Sequence, residues 1–237
     1  MHAEIPERAL IVAAHPDDID FGAAGTVAMW TAAGAEVTYC LVTDGDAGGF
    51  DLDADRSSMA GIRRDEQRAA ASVVGVEHVE FLGRPDGRLV ADLDLRRDIA
   101  AVIRRHRPDR VVCPSPERDY ERLAASHPDH LAAGEATICA VYPDARNPFA
   151  FPELIRAGLE PHTVHELWLM ASPTPNHAVD ITEMIERKIA ALMEHKSQLP
   201  DPGATEARVR SWTAAAATGA GLGEGRHAEA FSILQVP

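Results

Sequence analysis

The chain is poor in cysteine, aromatic residues and positive charge. Its three cysteines form no CxxC pair and no even-numbered framework, which excludes a disulfide scaffold and a cysteine-based zinc motif. Cys40 and Cys113 sit inside apolar runs and Cys139 on a predicted helix, as expected of reduced structural thiols. Aromatic residues make up 5%, too few to build an extended stacking platform for a polysaccharide. Lys and Arg total 23 against 37 Asp and Glu, a net charge of −14. That balance excludes a nucleic-acid backbone as partner and disfavours anionic lipid. The apolar stretch Ala9–Ala14 is far too short to span a membrane, and no basic leader precedes it. The expectation is a soluble, cytoplasmic protein with no nucleic-acid or membrane partner, compatible with a homo-oligomer.

What is present is a regular alternation of short β-rich runs with longer amphipathic ones. Ala9–His15 is a continuous apolar run, as in a strand covered on both faces. Further strands are expected at Glu36–Thr43, His78–Leu82, Arg110–Pro114 and Glu166–Met170. Helices are expected at Gly22–Gly34, Ala60–Gly75, Leu93–Arg107, Pro128–Val141, Ile181–Lys196 and Thr205–Ala217. No repeat or linker divides the 237 residues, so residues 1–237 are read as a single domain. The fold class is α/β: a Rossmann-like, doubly wound, mainly parallel sheet with helices on both faces. In such folds ligands bind beyond the carboxyl ends of the strands, where strand order reverses. With an order 3-2-1-4-5, the segments leaving neighbouring strands one and four are His15-Pro16-Asp17-Asp18 and Ser126-His127-Pro128-Asp129-His130.

Each segment contains a His-Pro-Asp tripeptide just behind a strand end. Taken singly, the tripeptide is an ordinary helix start. Two copies at one crevice instead gather two histidines, three aspartates and one further histidine. A catalytic zinc site wants about three nitrogen or oxygen ligands. His15 and Asp18 can converge from one turn, and a His of the second segment completes the set. Asp17 is then left to act on water, and the remaining His to face a substrate carbonyl. Weaker features fall away. The segment Asp51–Arg56 lacks the Gly and Glu of a calcium loop, and Gly22-Ala23-Ala24-Gly25 is not a nucleotide fingerprint. Glu66 is expected to pair with Arg63 on one helix face, and His195 to serve packing or helix C-terminal charge.

AHPDDIDFGAAGTVA, the TDG after strand two and HPDH resemble the LmbE-like (PIG-L) family of metal-dependent N-deacetylases. IRRDEQRAAASVVGV, RPDRVVCPS, VDITEMIERKIAALMEHKSQ and the terminal HAEAF extend that resemblance over nearly the whole chain. It implies a zinc-dependent hydrolase of carbon–nitrogen bonds, removing acetyl from a small N-acyl amino-sugar-like substrate such as an N-acetylglucosamine conjugate. It implies His15, Asp18 and His130 as metal ligands and Asp17 as general base. His127 assists at the oxyanion and leaving group, Asp129 orients His127, and Arg63 contacts substrate. Zn²⁺ is the expected cofactor, with Fe²⁺ the other metal this donor set accepts. Ile19 stands where the family commonly has Glu. Two other classes fit the bare residues. A non-haem Fe(II) oxygenase also uses two histidines and a carboxylate, but typically takes the carboxylate two residues after the first His. That residue here is Asp17, which leaves Asp18 without a role. A non-catalytic metal- or sugar-binding module has no need of a base beside its ligands.

Overall fold

A computed structural model describes residues 5–50 and 55–237. Seven strands form one sheet: β1 (Arg8–Ala13), β2 (Glu36–Thr43), β3 (His78–Arg84), β4 (Arg110–Pro114), β5 (Glu166–Met170), β6 (His177–Asp180) and β7 (Ala228–Gln235), in the order β3-β2-β1-β4-β5-β7-β6. The first five are parallel in the expected order. β7 lies antiparallel between β5 and β6. This last pair was not foreseen, because alternating helices and strands argue only for parallel pairing. An antiparallel edge needs no crossover helix and leaves no such rhythm.

β1 explains why the core is double. Its side chains point alternately to opposite faces, and both faces are covered. Ala9, Ile11 and Ala13 join one buried cluster with Val27, Trp30 and Ala70. Leu10, Val12 and Ala14 join a second with Ile99, Ile103 and Ala136. The first cluster is closed by α2 (Ala24–Ala32), α3 (Arg56–Val73) and α7 (Ile185–Leu192), the second by α4 (Leu93–His106) and α5 (Pro128–Cys139). α8 (Pro202–Gly219) adds Val209 to a small cluster with Ile189 and Leu192 of α7. The single helix expected over 22–34 is broken at Ala23 into α1 (Asp18–Gly22) and α2. A short α6 (Pro152–Arg156) lies outside the helices expected from the sequence.

Two local features bring the His-Pro-Asp segments together. The sheet order reverses between β1 and β4, which opens a crevice beyond their carboxyl ends. α5 then sits hard against the end of β4: a Cβ on Gly134 would lie 2.3 Å from the Pro114 carbonyl oxygen. Only glycine permits that approach. The start of α5 follows from its sequence. Pro128 occupies the first turn, and His127 Nδ1 accepts the Asp129 N–H at 3.2 Å. The helix-start and catalytic readings of His-Pro-Asp are thus compatible. All three cysteines are free, with Cys40 and Cys113 buried. No helix among the described residues is long and apolar enough to cross a membrane.

Candidate active site

The turn after β1 and the start of α5 meet as the strand order requires. Asp18 is the hub. One carboxylate oxygen is 2.9 Å from His130 Nε2, and the other is 3.4 Å from His15 Nδ1. Asp18 also accepts the His15 N–H at 2.8 Å, which locks the turn. The outer nitrogen of each ring is engaged as well. His130 Nδ1 faces the Ala125 carbonyl at 3.3 Å, while His15 Nε2 lies 3.0 Å from Asp86 and 3.3 Å from Asp129. Metal-ligating histidines have this pattern: one nitrogen faces the ion and the other is fixed by a carbonyl or carboxylate. Two imidazoles and a carboxylate converging in this way fit a divalent cation that takes nitrogen and oxygen donors.

The carboxylates around the two imidazoles favour positive charge there. Burial opposes a charged His15 ring, yet the carboxylates of Asp18 and Asp86 outweigh it and push the ring up to about 11. His130 is also raised, burial being overcome by Asp18. Asp18 itself is held well below the usual carboxylate range: the two imidazoles beside it overcome its burial. A metal would take the place of these protons, so binding is tied to proton release.

Asp17 stands apart from this His15–Asp18–His130 cluster. Its backbone is left-handed, at φ 91°, a conformation that costs a residue other than glycine about 1–3 kcal/mol. Burial pushes its carboxyl up to about 6, against the pull of Arg63. His127 is exposed at the mouth, its ring centroid 5.0 Å from that of His15 and 5.4 Å from that of His130. Burial and the neighbouring His15 and His130 charges lower its pKa. Because Nδ1 accepts a main-chain N–H, a neutral His127 carries its proton on Nε2. Among the described residues two groups have donor atoms mutually within 4.8 Å: His15, His127 and His130, and His15, Asp86 and Asp129.

Three residues sit differently from expectation. The Asp129 carboxylate does not reach His127; only its backbone N–H does. The carboxylate instead accepts from Gly87 N at 2.7 Å and Leu89 N at 3.2 Å. It thereby staples the loop after β3 to α5 and carries Asp86 to His15. Arg63 is 4% exposed and lies beneath Asp17, not at an open rim. It donates to the Gly45 carbonyl at 2.9 Å, the Pro16 carbonyl at 2.5 Å and the Asp17 carboxylate at 3.1 Å. A direct fork onto a sugar would require it to release these partners. Glu66 pairs not with Arg63 but with Ser197, accepting from its N–H and its hydroxyl at 2.7 Å each. The segment 51–56 lies mostly outside the described residues.

Sequence reasoning did not foresee the contacts that Asp86, Gln67, Asp20 and His195 make around this turn. Asp86 lies in a Pro-Asp-Gly turn that reads as a surface loop, and nothing local says that the loop folds back over the crevice. If Asp86 fixes the His15 ring, Asp86→Asn weakens metal binding by roughly 10–100-fold. Titration of the apo-protein with metal against a competing chelator measures this, and an unchanged affinity would show that the contact is incidental.

Residues 10–141 match the family model described as GlcNAc-PI de-N-acetylase, PIG-L. The chain is 35% identical over 195 residues to the diacetylchitobiose deacetylase of Thermococcus kodakarensis, covering 82% of this chain and 71% of that protein. It is 31% identical over 196 residues to a probable N-acetyl-alpha-D-glucosaminyl L-malate deacetylase 2 of Bacillus cereus, covering 80% and 82%. In structure it resembles the N,N′-diacetylchitobiose deacetylase of Pyrococcus horikoshii in complex with its inhibitor MPG. The TM-score is 0.89 at 31% identity, over 97% of this chain and 84% of that one.

Proposed function

The chain belongs to the PIG-L family of de-N-acetylases, and from that premise we propose how its own residues cleave an amide. It is a metal-dependent N-deacetylase acting on N-acetylglucosamine-like compounds. We assign the metal ligands as His15, Asp18 and His130 and the metal as Zn²⁺, with Fe²⁺ the alternative for the same donors. The observation that carries this assignment is the Asp18 carboxylate facing both imidazoles while Asp17 stands beside them unligated. His127 is the other candidate third ligand by distance, but it is exposed and no hydrogen bond or ion pair joins it to Asp18. We read the chain as one domain, and its three free cysteines support a cytoplasmic location.

When bound, the metal supplies Lewis-acid activation of water and of the substrate carbonyl. The remaining chemistry belongs to the side chains. Asp17 accepts a proton as the water oxygen bonds to the amide carbon. His127 donates from Nε2 to the oxygen of that carbon as it becomes an oxyanion. The C–N bond then breaks, and the nitrogen must receive a proton to leave as an amine. Asp17 holds that proton and returns it to the nitrogen, while His127 keeps its Nε2 proton. Acetate and a free amino sugar result. His127→Ala is expected to lower kcat and kcat/KM about equally, by roughly 10²-fold, with metal retained. A change confined to KM would make His127 a substrate-binding residue.

Arg63 is expected to act mainly through Asp17. Its positive charge favours the Asp17 carboxylate, so its removal in Arg63→Met raises the Asp17 pKa. The acid limb of the kcat/KM profile therefore moves to higher pH. If Arg63 instead holds the sugar directly, the limb stays in place, and KM rises more for a glycoside than for a truncated acetamide.

For substrate we propose a small N-acetylglucosaminyl conjugate, not a peptide or long polymer. The low aromatic content supports this, as does the similarity to deacetylases of diacetylchitobiose and of N-acetylglucosaminyl malate. Arg56, Arg118 and Arg122, the arginines of the loops near the crevice, are engaged with Asp46, Ser126 and Asp119. Specificity therefore rests on the pocket around Asp17 and His127 more than on a basic rim. Acetate release from N-acetylglucosamine, its inositol glycoside, diacetylchitobiose, an acetylated peptide and long chitin oligomers tests this. Preference for the peptide or the long oligomers would overturn the substrate class and leave the metal site untouched.

A further inference from the structure

A line of buried polar side chains runs from Asp17 into the core. The Asp17 N–H donates to Gln67 Oε1 at 2.9 Å, and Gln67 Nε2 donates to Asp20 Oδ2 at 2.8 Å. The same oxygen meets His195 Nε2 at 2.8 Å. Gln67, Asp20 and His195 are all fully buried. Burying such groups is costly unless they are paired. Asp20 Oδ1 and His195 Nδ1 have no hydrogen-bond partner among the described residues, so this line is what the pair's burial secures.

The geometry at its outer end is specific. The Pro16 carbonyl and the Asp17 N–H belong to one peptide group. Arg63 grips the carbonyl and Gln67 the N–H. Residues 63 and 67 are four apart on α3 and share a helix face. The peptide they clamp leads into the one residue of the turn held at positive φ. A carboxamide has two ends of similar shape but opposite hydrogen-bonding sense. The Asp20 carboxylate accepts only, so it selects the NH₂ end of Gln67 and leaves the oxygen for Asp17. His195 in turn holds Asp20.

We propose that Gln67, oriented by Asp20 and His195, is a positioning residue that fixes the Asp17 backbone and so aims its carboxylate at the attacking water. This rests on Asp17 being the base. It also gives a role to the histidine of the EHKSQ segment and to Asp20, next to Ile19.

The test uses metal-loaded enzyme with diacetylchitobiose as substrate. Gln67→Met keeps the shape of the side chain and removes both hydrogen bonds. It is expected to lower kcat by about 10–100-fold, as a small misplacement of a catalytic group does. KM should stay within about threefold and metal stoichiometry should be unchanged. His195→Leu should act in the same direction, while His195→Gln, which retains a donor for Asp20, should recover kcat to within about threefold of wild type. In an Asp17→Asn background, Gln67→Met should change the residual rate less than about threefold, because the two act as one unit. A Gln67→Met enzyme with wild-type kcat, a full extra loss in the Asp17→Asn background, or a His195→Gln enzyme as impaired as His195→Leu would each overturn the proposal. If Gln67→Met does not fold, the His195 pair decides. If Asp17→Asn alone retains full rate, the base assignment fails by itself, whatever Gln67 does.

Discussion

Asp18→Ala and His130→Ala each release the metal and with it nearly all activity, roughly 10³-fold or more given the several kcal/mol such an ion supplies. The expectation follows from the position of Asp18 between two imidazole nitrogens, 2.9 Å from His130 and 3.4 Å from His15. Removing the carboxylate leaves two imidazoles without the anionic donor between them. Removing His130 leaves a two-residue set from a single turn, too few for a stable site. Metal content after dialysis, measured alongside deacetylation rate, checks both variants. His127→Ala is the control, because it is expected to lose rate and keep metal. Full metal in His130→Ala together with a depleted His127→Ala would replace His130 by His127 in the ligand set.

Asp17→Asn keeps the metal and loses about 10²-fold or more in kcat, the usual scale for a general base. Asn preserves the shape of the side chain and the main-chain bond to Gln67, so the turn and the ligands on either side remain. It cannot take a proton from water. Asp17 and Asp18 are neighbours in sequence with opposite expected phenotypes, one losing rate and the other losing metal. Swapped phenotypes would mean that the two roles are reversed. The left-handed backbone adds a second expectation. Asn tolerates positive φ, so Asp17→Asn folds as well as wild type, whereas a β-branched residue such as Val at this position destabilises the protein. Thermal unfolding separates those two outcomes.

Much of the architecture is written in local pattern. The apolar run of β1, the stretches Glu36–Thr43 and Arg110–Pro114 and their separation by amphipathic segments specify parallel strands covered by helices. The expected bounds of those two strands match the structure. Once strands one and four are neighbours, the His-Pro-Asp segments must face each other, so the residues of the proposed site could be read from the chain alone. Sequence also set the chemistry on offer, because imidazole and carboxylate side chains at a strand end admit few uses.

Tertiary structure decided what each of those groups touches. Hydrogen bonds between residues far apart in the chain leave no periodic trace, so Asp86 looked like a turn residue until Asp129 was found holding its loop against α5. Arg63 and Gln67 carry the spacing of any helix face. Only the packing of α3 beneath the first turn makes them a clamp on one peptide. His195 and Asp20 are 175 positions apart, and Lys188 reaches Glu229 and the carbonyls of Asp20 and Phe21 in the same buried region. Burial creates these pairings, because a charge deep in the core must find a partner wherever the fold provides one. Local sequence determines which groups can ligate, accept or donate, while the dense packing around the turn after β1 determines which of them meet one another.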